Sequence, residues 1–110
     1  MPYTQIYFHL VWSTRNRQPL LTDDVAPIVR TFLREKTADL GADLHALHTE
    51  VDHVHMVVTL PPKLSVASFV GQLKGATSYR YNNSYPRLEK FYWQEEYDAF
   101  TFDRRRLRAH

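Results

Sequence analysis

Between Tyr3 and Ser13 apolar and polar positions alternate. Ile6, Phe8, Leu10 and Trp12 share one side, and Tyr7, His9 and Val11 the other. This is the period-two pattern of a strand with one apolar and one mixed face. The polar run Ser13 to Pro19 predicts a loop. Asp23 and Asp24 are expected to cap a helix of about four turns, with Pro27 in its first turn. Val25, Ile28, Val29, Phe32, Lys36 and Leu40 form its inward stripe, and Gly41 ends it. Residues 42–51 and 54–60 predict a strand pair connected near Asp52 and His53. In the second of these strands Val54, Met56, Val58 and Leu60 oppose His53, His55, Val57 and Thr59, and Pro61-Pro62 ends it. Ser65 caps a second helix with Val66, Phe69, Val70, Leu73 and Thr77 inward. Lys74, Ser78 and Tyr81 form a neighbouring stripe. Phe91-Tyr92-Trp93 and residues 99–102 supply one or two short closing strands.

The resulting order is β-α-β-β-α-β, an α+β, ferredoxin-like pattern: an antiparallel sheet with two helices on one face. The other face is free for a partner. The apolar sides of the strands turn to the helices, so Tyr7, His9, His53 and His55 fall on the free side. The 110 residues form a single domain, 44% apolar and 14% aromatic, enough to bury a core. Cysteine is absent, which excludes disulfide scaffolds and thiolate chemistry. No apolar run approaches the ~20 residues of a membrane helix, and no signal peptide is visible. A cytoplasmic protein without membrane attachment is expected.

The net charge of +2 is unevenly distributed. Residues 1–55 hold 5 Lys/Arg against 7 Asp/Glu, and residues 56–110 hold 9 against 5. The basic excess ends in Arg104, Arg105, Arg106 and Arg108. Such a cluster suits a polyanion and equally a solvated helix face. The chemistry-bearing stretch is Asp52-His53-Val54-His55. Histidines at i and i+2 on a strand project from one face about 7 Å apart, close enough to converge on one divalent ion. Two ligands do not complete a site, and half-exposed histidines also alternate by chance. His45 and His48, three residues apart, are expected on opposite faces of the preceding strand.

His53-Val54-His55 on a strand followed by Leu60-Pro61-Pro62 resembles the histidine–hydrophobic–histidine motif of single-strand DNA transposases of the insertion-sequence 200/605 family and their REP-associated relatives. Supporting segments are Tyr7 to Trp12, Leu73 to Tyr79, Trp93-Gln94 and Tyr97 to Phe102, in order along nearly the whole chain. The resemblance implies metal-dependent nicking and strand transfer on hairpin-bearing single-stranded DNA. A tyrosine hydroxyl attacks phosphorus to give a 5′-phosphotyrosine and a free 3′-OH. It further implies His53 and His55 as ligands of Mg²⁺ or Mn²⁺, no nucleotide cofactor, and a homodimer. The expected DNA contacts are Arg15 and Arg17 in the first loop, Lys74 and Ser78 on the second helix, and Arg104, Arg105, Arg106 and Arg108 in the tail.

In that family the nucleophilic tyrosine and a glutamine that completes the metal site lie on a helix after the last strand. The sequence stops at His110 without either residue, so either the chain is truncated before that helix, the expected case, with the nucleophile beyond His110, or the protein has lost cleavage activity. Two other readings remain: a non-catalytic nucleic-acid-binding domain using its open sheet, and a small dimerising regulatory domain with incidental histidines.

Overall fold

The alternation of residues 54–58 becomes the centre of the structure. Val54, Met56 and Val58 are fully buried, whereas His53, His55 and Val57 between them remain partly accessible. A computed structural model describes residues 6–103. Its elements are β1 (Ile6–Ser13), a 3-10 turn (Arg15–Arg17), α1 (Ala26–Asp39), β2 (Asp43–Glu50), β3 (His53–Thr59), α2 (Val66–Ser84) and β4 (Asp98–Asp103). The strands form one antiparallel sheet in the order β2-β3-β1-β4, the ferredoxin-like arrangement the sequence predicts. Leu10 and Trp12 of β1 join Val54, Met56 and Val58 in a core with Val29 and Leu33 of α1 and Phe69, Val70 and Leu73 of α2. Each large side chain buried there contributes about 1.5–3 kcal/mol. Among the described residues, no helix is long and apolar enough to cross a membrane.

Several local expectations change. Asp23 and Asp24 do not cap α1. Val25 stands at the cap position in helical conformation with no side-chain bond, and the Thr22 carbonyl accepts from the amides of Val25 and Ala26. A preceding turn therefore takes over the capping task. The inward stripe is shifted, with Ala26, Val29, Leu33 and Thr37 at its centre and Val25, Ile28, Phe32 and Lys36 along its edge. Thr37 can be central because its hydroxyl donates to the Leu33 carbonyl at 2.7 Å. In α2, Tyr81 belongs to the buried stripe, four residues beyond Thr77, and stacks near Phe91. Ser65 caps this helix as expected, accepting from the Ser68 amide at 3.1 Å. Phe91 to Trp93 form no strand. Trp93 makes a single bridge to Thr14, while Phe91 and Trp93 are buried in the core.

The largest departure concerns β2. Its register against β3 shifts between Leu44 and Ala46, a bulge at His45. An extra residue reverses the alternation beyond it. His45 thus comes to the open face, bonding Thr59 at 2.8 Å and packing edge-on to Tyr7, while His48 pairs with His55 on that same face. His45 and His48 therefore share a face.

The position of the α1 stripe has a measurable consequence. Leu33→Ala should lower unfolding free energy by about 2–5 kcal/mol, whereas Lys36→Ala should stay within about 0.5 kcal/mol of the parent. Urea unfolding of the two variants checks this.

Candidate metal centre

Antiparallel pairing sets the site. Ser13 lies opposite His53, and Val11 lies opposite both His55 and Asp98. The end of β1 therefore meets the beginnings of β3 and β4, and a cleft of about 300 Å³ opens there. Its walls include His53, His55, Arg17, Gln94, Tyr97 and Asp98. The two β3 imidazoles stand 4.9 Å apart between ring centroids, nearly perpendicular.

Each of these rings is held at Nδ1. Asp52 Oδ1 lies 2.7 Å from His53 Nδ1, and His9 Nε2 lies 3.2 Å from His55 Nδ1. Asp52 in turn accepts from Arg17 Nε at 3.2 Å through its other oxygen. The bond from His53, seconded by the one from Arg17, holds the Asp52 carboxyl below its ordinary range. Burial lowers the His55 pKa below 6.5, and the neighbouring His53, His9 and His48 lower it further. A depressed value keeps the imidazole neutral near pH 7, the form that has a lone pair to donate.

The rim of the cleft is constrained by backbone geometry. Asn16 and Arg17 both adopt positive φ, 55° and 53°, a left-handed conformation costly for side chains other than glycine. Surrounding bonds enforce it. The Thr14 hydroxyl donates to the Gln18 carbonyl at 2.6 Å, the Arg15 amide to the Tyr92 carbonyl at 2.9 Å, and the Asn16 amide to Gln94 Oε1 at 3.1 Å. This turn sets Arg17 beside Asp52. Arg15 lies apart from that pair, its guanidinium 4.4 Å over the Tyr92 ring.

Lys74, expected at a DNA surface, points its ammonium at three backbone carbonyls. It donates to Gln94, to Glu95 at 3.2 Å and to Glu96 at 3.5 Å. Burial lowers its pKa, with Glu95 acting in the opposite sense. It thereby fixes the loop that forms one wall of the cleft. The Ser78 hydroxyl donates to carbonyls of its own helix, those of Lys74 and Gly75. Arg104, Arg105, Arg106 and Arg108 lie outside the described residues. Gln94, Tyr97 and Asp98 line the cleft, and His9 and Asp52 stand behind the two imidazoles. Only Asp52 carried a local signal, as the carboxylate adjoining the His-Val-His triplet. The others reach the cleft through strand pairing and a clamped loop.

The donor set fits half of a metal site. Among the described residues, no group of three or more His, Cys, Asp or Glu side chains is placed to hold an ion. With Nδ1 of each ring engaged, Nε2 is the nitrogen left to face a ligand, and a carboxylate hydrogen-bonded behind a histidine is a common support for metal ligands. A hard divalent ion here would complete its shell with oxygens from water, phosphate or further side chains.

Comparisons with known proteins give the wider setting. The family profile described as "Transposase IS200 like" matches residues 2–109. The ISDra2 transposase TnpA of Deinococcus radiodurans is 32% identical over 89 residues, 81% of this chain and 64% of that protein. The transposase for insertion sequence element IS200 of Salmonella typhimurium is 28% identical over 90 residues, 82% of this chain and 59% of that protein. The chain thus spans less than two thirds of the length of these relatives. A crystal structure of a transposase from D. radiodurans superposes with a TM-score of 0.82 at 29% identity, covering 99% of this chain and 87% of that one. The structure of a REP-associated tyrosine transposase bound to a REP hairpin gives 0.70 at 18% identity, over 100% and 66%, a likeness of fold.

Two outcomes follow from the site as built. Lys74→Met should destabilise by about 1–3 kcal/mol, since it leaves carbonyls without their donor; thermal unfolding together with proteolysis at residues 94–97 tests it. The pKa of His55 is depressed by folding, so its contribution to stability is complete above pH 6.5 and is lost as pH falls through the lowered folded value. The urea midpoint of the metal-free chain should fall from about pH 7 to about pH 5, and less so in His55→Gln.

Proposed function

Because the chain belongs to the IS200-like transposase family, we propose that it acts on hairpin-bearing single-stranded DNA, with His53 and His55 holding Mg²⁺ or Mn²⁺ in a nicking and strand-transfer reaction. The observation that carries this reading is the pair of adjoining imidazoles in one cleft, each restrained at Nδ1. When bound, the ion would polarise the scissile phosphate as a Lewis acid. His53 and His55 would hold it through Nε2. Asp52 orients the His53 ring. Arg17 bonds Asp52 through Nε, leaving its terminal guanidinium nitrogens to meet a phosphate at the rim. In the reaction a tyrosine oxygen attacks phosphorus and gives up its proton to solvent, the bond from phosphorus to the 3′ oxygen breaks, and that oxygen takes up a proton from solvent. A 5′-phosphotyrosine and a free 3′-OH result. The phosphodiester energy is conserved in the covalent link, so rejoining requires no nucleotide cofactor. A homodimer is part of the proposal.

The second reading, a nucleic-acid-binding domain without chemistry, draws on the open face. There Phe100 is 58% exposed and lies 6.1 Å from the His9 ring, a surface on which unpaired bases can stack. Titration of the chain with a labelled single-stranded hairpin, with and without Mn²⁺, separates the two. Mn²⁺-dependent binding lost in His53→Ala and in His55→Ala supports the transposase reading. Binding indifferent to Mn²⁺ and to both substitutions favours the second.

Two further outcomes are expected. In protein that forms a covalent adduct with the hairpin, His53→Ala or His55→Ala should abolish that adduct on denaturing gels while leaving the circular-dichroism spectrum unchanged. Arg17→Ala should weaken hairpin binding and reduce the slope of log K against log salt by about 1. An unaltered slope would remove Arg17 from the phosphate contacts.

A further inference from the structure

We infer that His9 is a positioning residue whose Nε2 accepts the Nδ1–H of His55, fixing the tautomer that leaves His55 Nε2 as the lone-pair donor toward the cleft. The metal part of this inference rests on the function proposed above, whereas the tautomer is a property of the chain alone.

The argument begins with register. His9 lies opposite Val57 and Val11 opposite His55, so His9 and His55 are diagonal neighbours on one face of the β1–β3 pair. Diagonal side chains are within reach when they are long or aromatic. The rings meet with centroids 5.4 Å apart and His9 Nε2 only 3.2 Å from His55 Nδ1. A neutral imidazole has one N–H and one lone pair. Two nitrogens at this distance must therefore be one donor and one acceptor. If His9 donated, the proton of His55 would sit on Nε2 and close that atom to any ligand. If His55 donates, His9 carries its own proton on Nδ1 and the Nε2 of His55 is open.

The neighbouring histidine supplies the second observation. Asp52 is an acceptor only, so the 2.7 Å contact to its Oδ1 requires the proton of His53 on Nδ1. With His55 donating to His9, both rings adopt the same tautomer and present the same nitrogen. The supports then differ in charge: a carboxylate behind His53 and a neutral ring behind His55. Ring packing on the far side holds His9, 6.1 Å from Phe100 of β4. Central β1 thus supplies a support that the flanking residues of the triplet do not.

Ring-nitrogen NMR of the isotope-labelled, metal-free chain tests this at a pH where all the histidines are neutral. The expected spectra show Nδ1–H on both His53 and His55. In His9→Phe, which keeps a ring against Phe100 but removes the acceptor, His55 should move to the Nε2–H form while His53 stays unchanged. His9→Gln restores an acceptor oxygen and should recover part of the Nδ1–H form. Calorimetric titration with Mn²⁺ should show about 10-fold weaker binding in His9→Phe, with partial recovery in His9→Gln. A wild-type His55 protonated at Nε2 would overturn the inference, as would Mn²⁺ affinity equal in His9→Phe and wild type. Should the wild-type chain bind no Mn²⁺, the metal reading fails, and the spectra still decide the role of His9.

Discussion

Burial of Val54, Met56 and Val58 beneath the two helices fixes what stands on the opposite side of β3. A strand alternates strictly, so His53 and His55 must face away from the core as long as those three residues face into it. A one-residue slip would bury two imidazoles and expose three apolar side chains. β1 is held by the same logic through Leu10 and Trp12, and its pairing with both β3 and β4 carries Val11, Ser13, His55 and Asp98 to one sheet end. The cleft is thus a by-product of core packing, and its precision derives from the stability of the core.

Around the histidines, restraint comes from polar contacts of decreasing charge. Arg17 holds Asp52, Asp52 holds His53, and His9 stands against His55. The Asn16–Arg17 turn adopts an unfavourable backbone conformation, maintained by bonds from the segments on either side. Lys74 reaches from α2 to fasten the loop of Gln94 to Glu96. The Asn16–Arg17 turn is thus tied to the segment around Tyr92 and Gln94, and that segment to α2, so the walls of the cleft are linked to one another.

This construction suits the chemistry proposed for an IS200-like transposase. In that reading the imidazoles would supply ligating nitrogen, and burial, with the neighbouring histidines, lowers the pKa of His55 toward the neutral form. Under the same proposal the Arg17 cation at the rim would meet an anionic substrate, and the open sheet would receive an unpaired strand. The same ferredoxin-like frame serves many functions, so the functional weight rests on the site and the family, and the fold supplies only the platform.

The sequence by itself determined the order of elements, the apolar faces of β1 and β3, the cap of α2 and the pairing of His53 with His55 on one side. These are encoded locally, in periods of two and in a serine preceding an apolar run. Tertiary structure decided the rest. The bulge at His45 reverses half of β2 and brings His45 and His48 to the histidine face, a change no alternation pattern carries. The α1 stripe settled around Leu33 because packing on the sheet, rather than periodicity alone, selects which of two adjacent helical rows is innermost. Lys74 looked like any solvated helical cation until the 94–96 loop, distant in sequence, folded over it. His9 and Tyr97 reached the site by the same route, because the pairing of β1 with β3 and β4 brings together residues that are far apart along the chain.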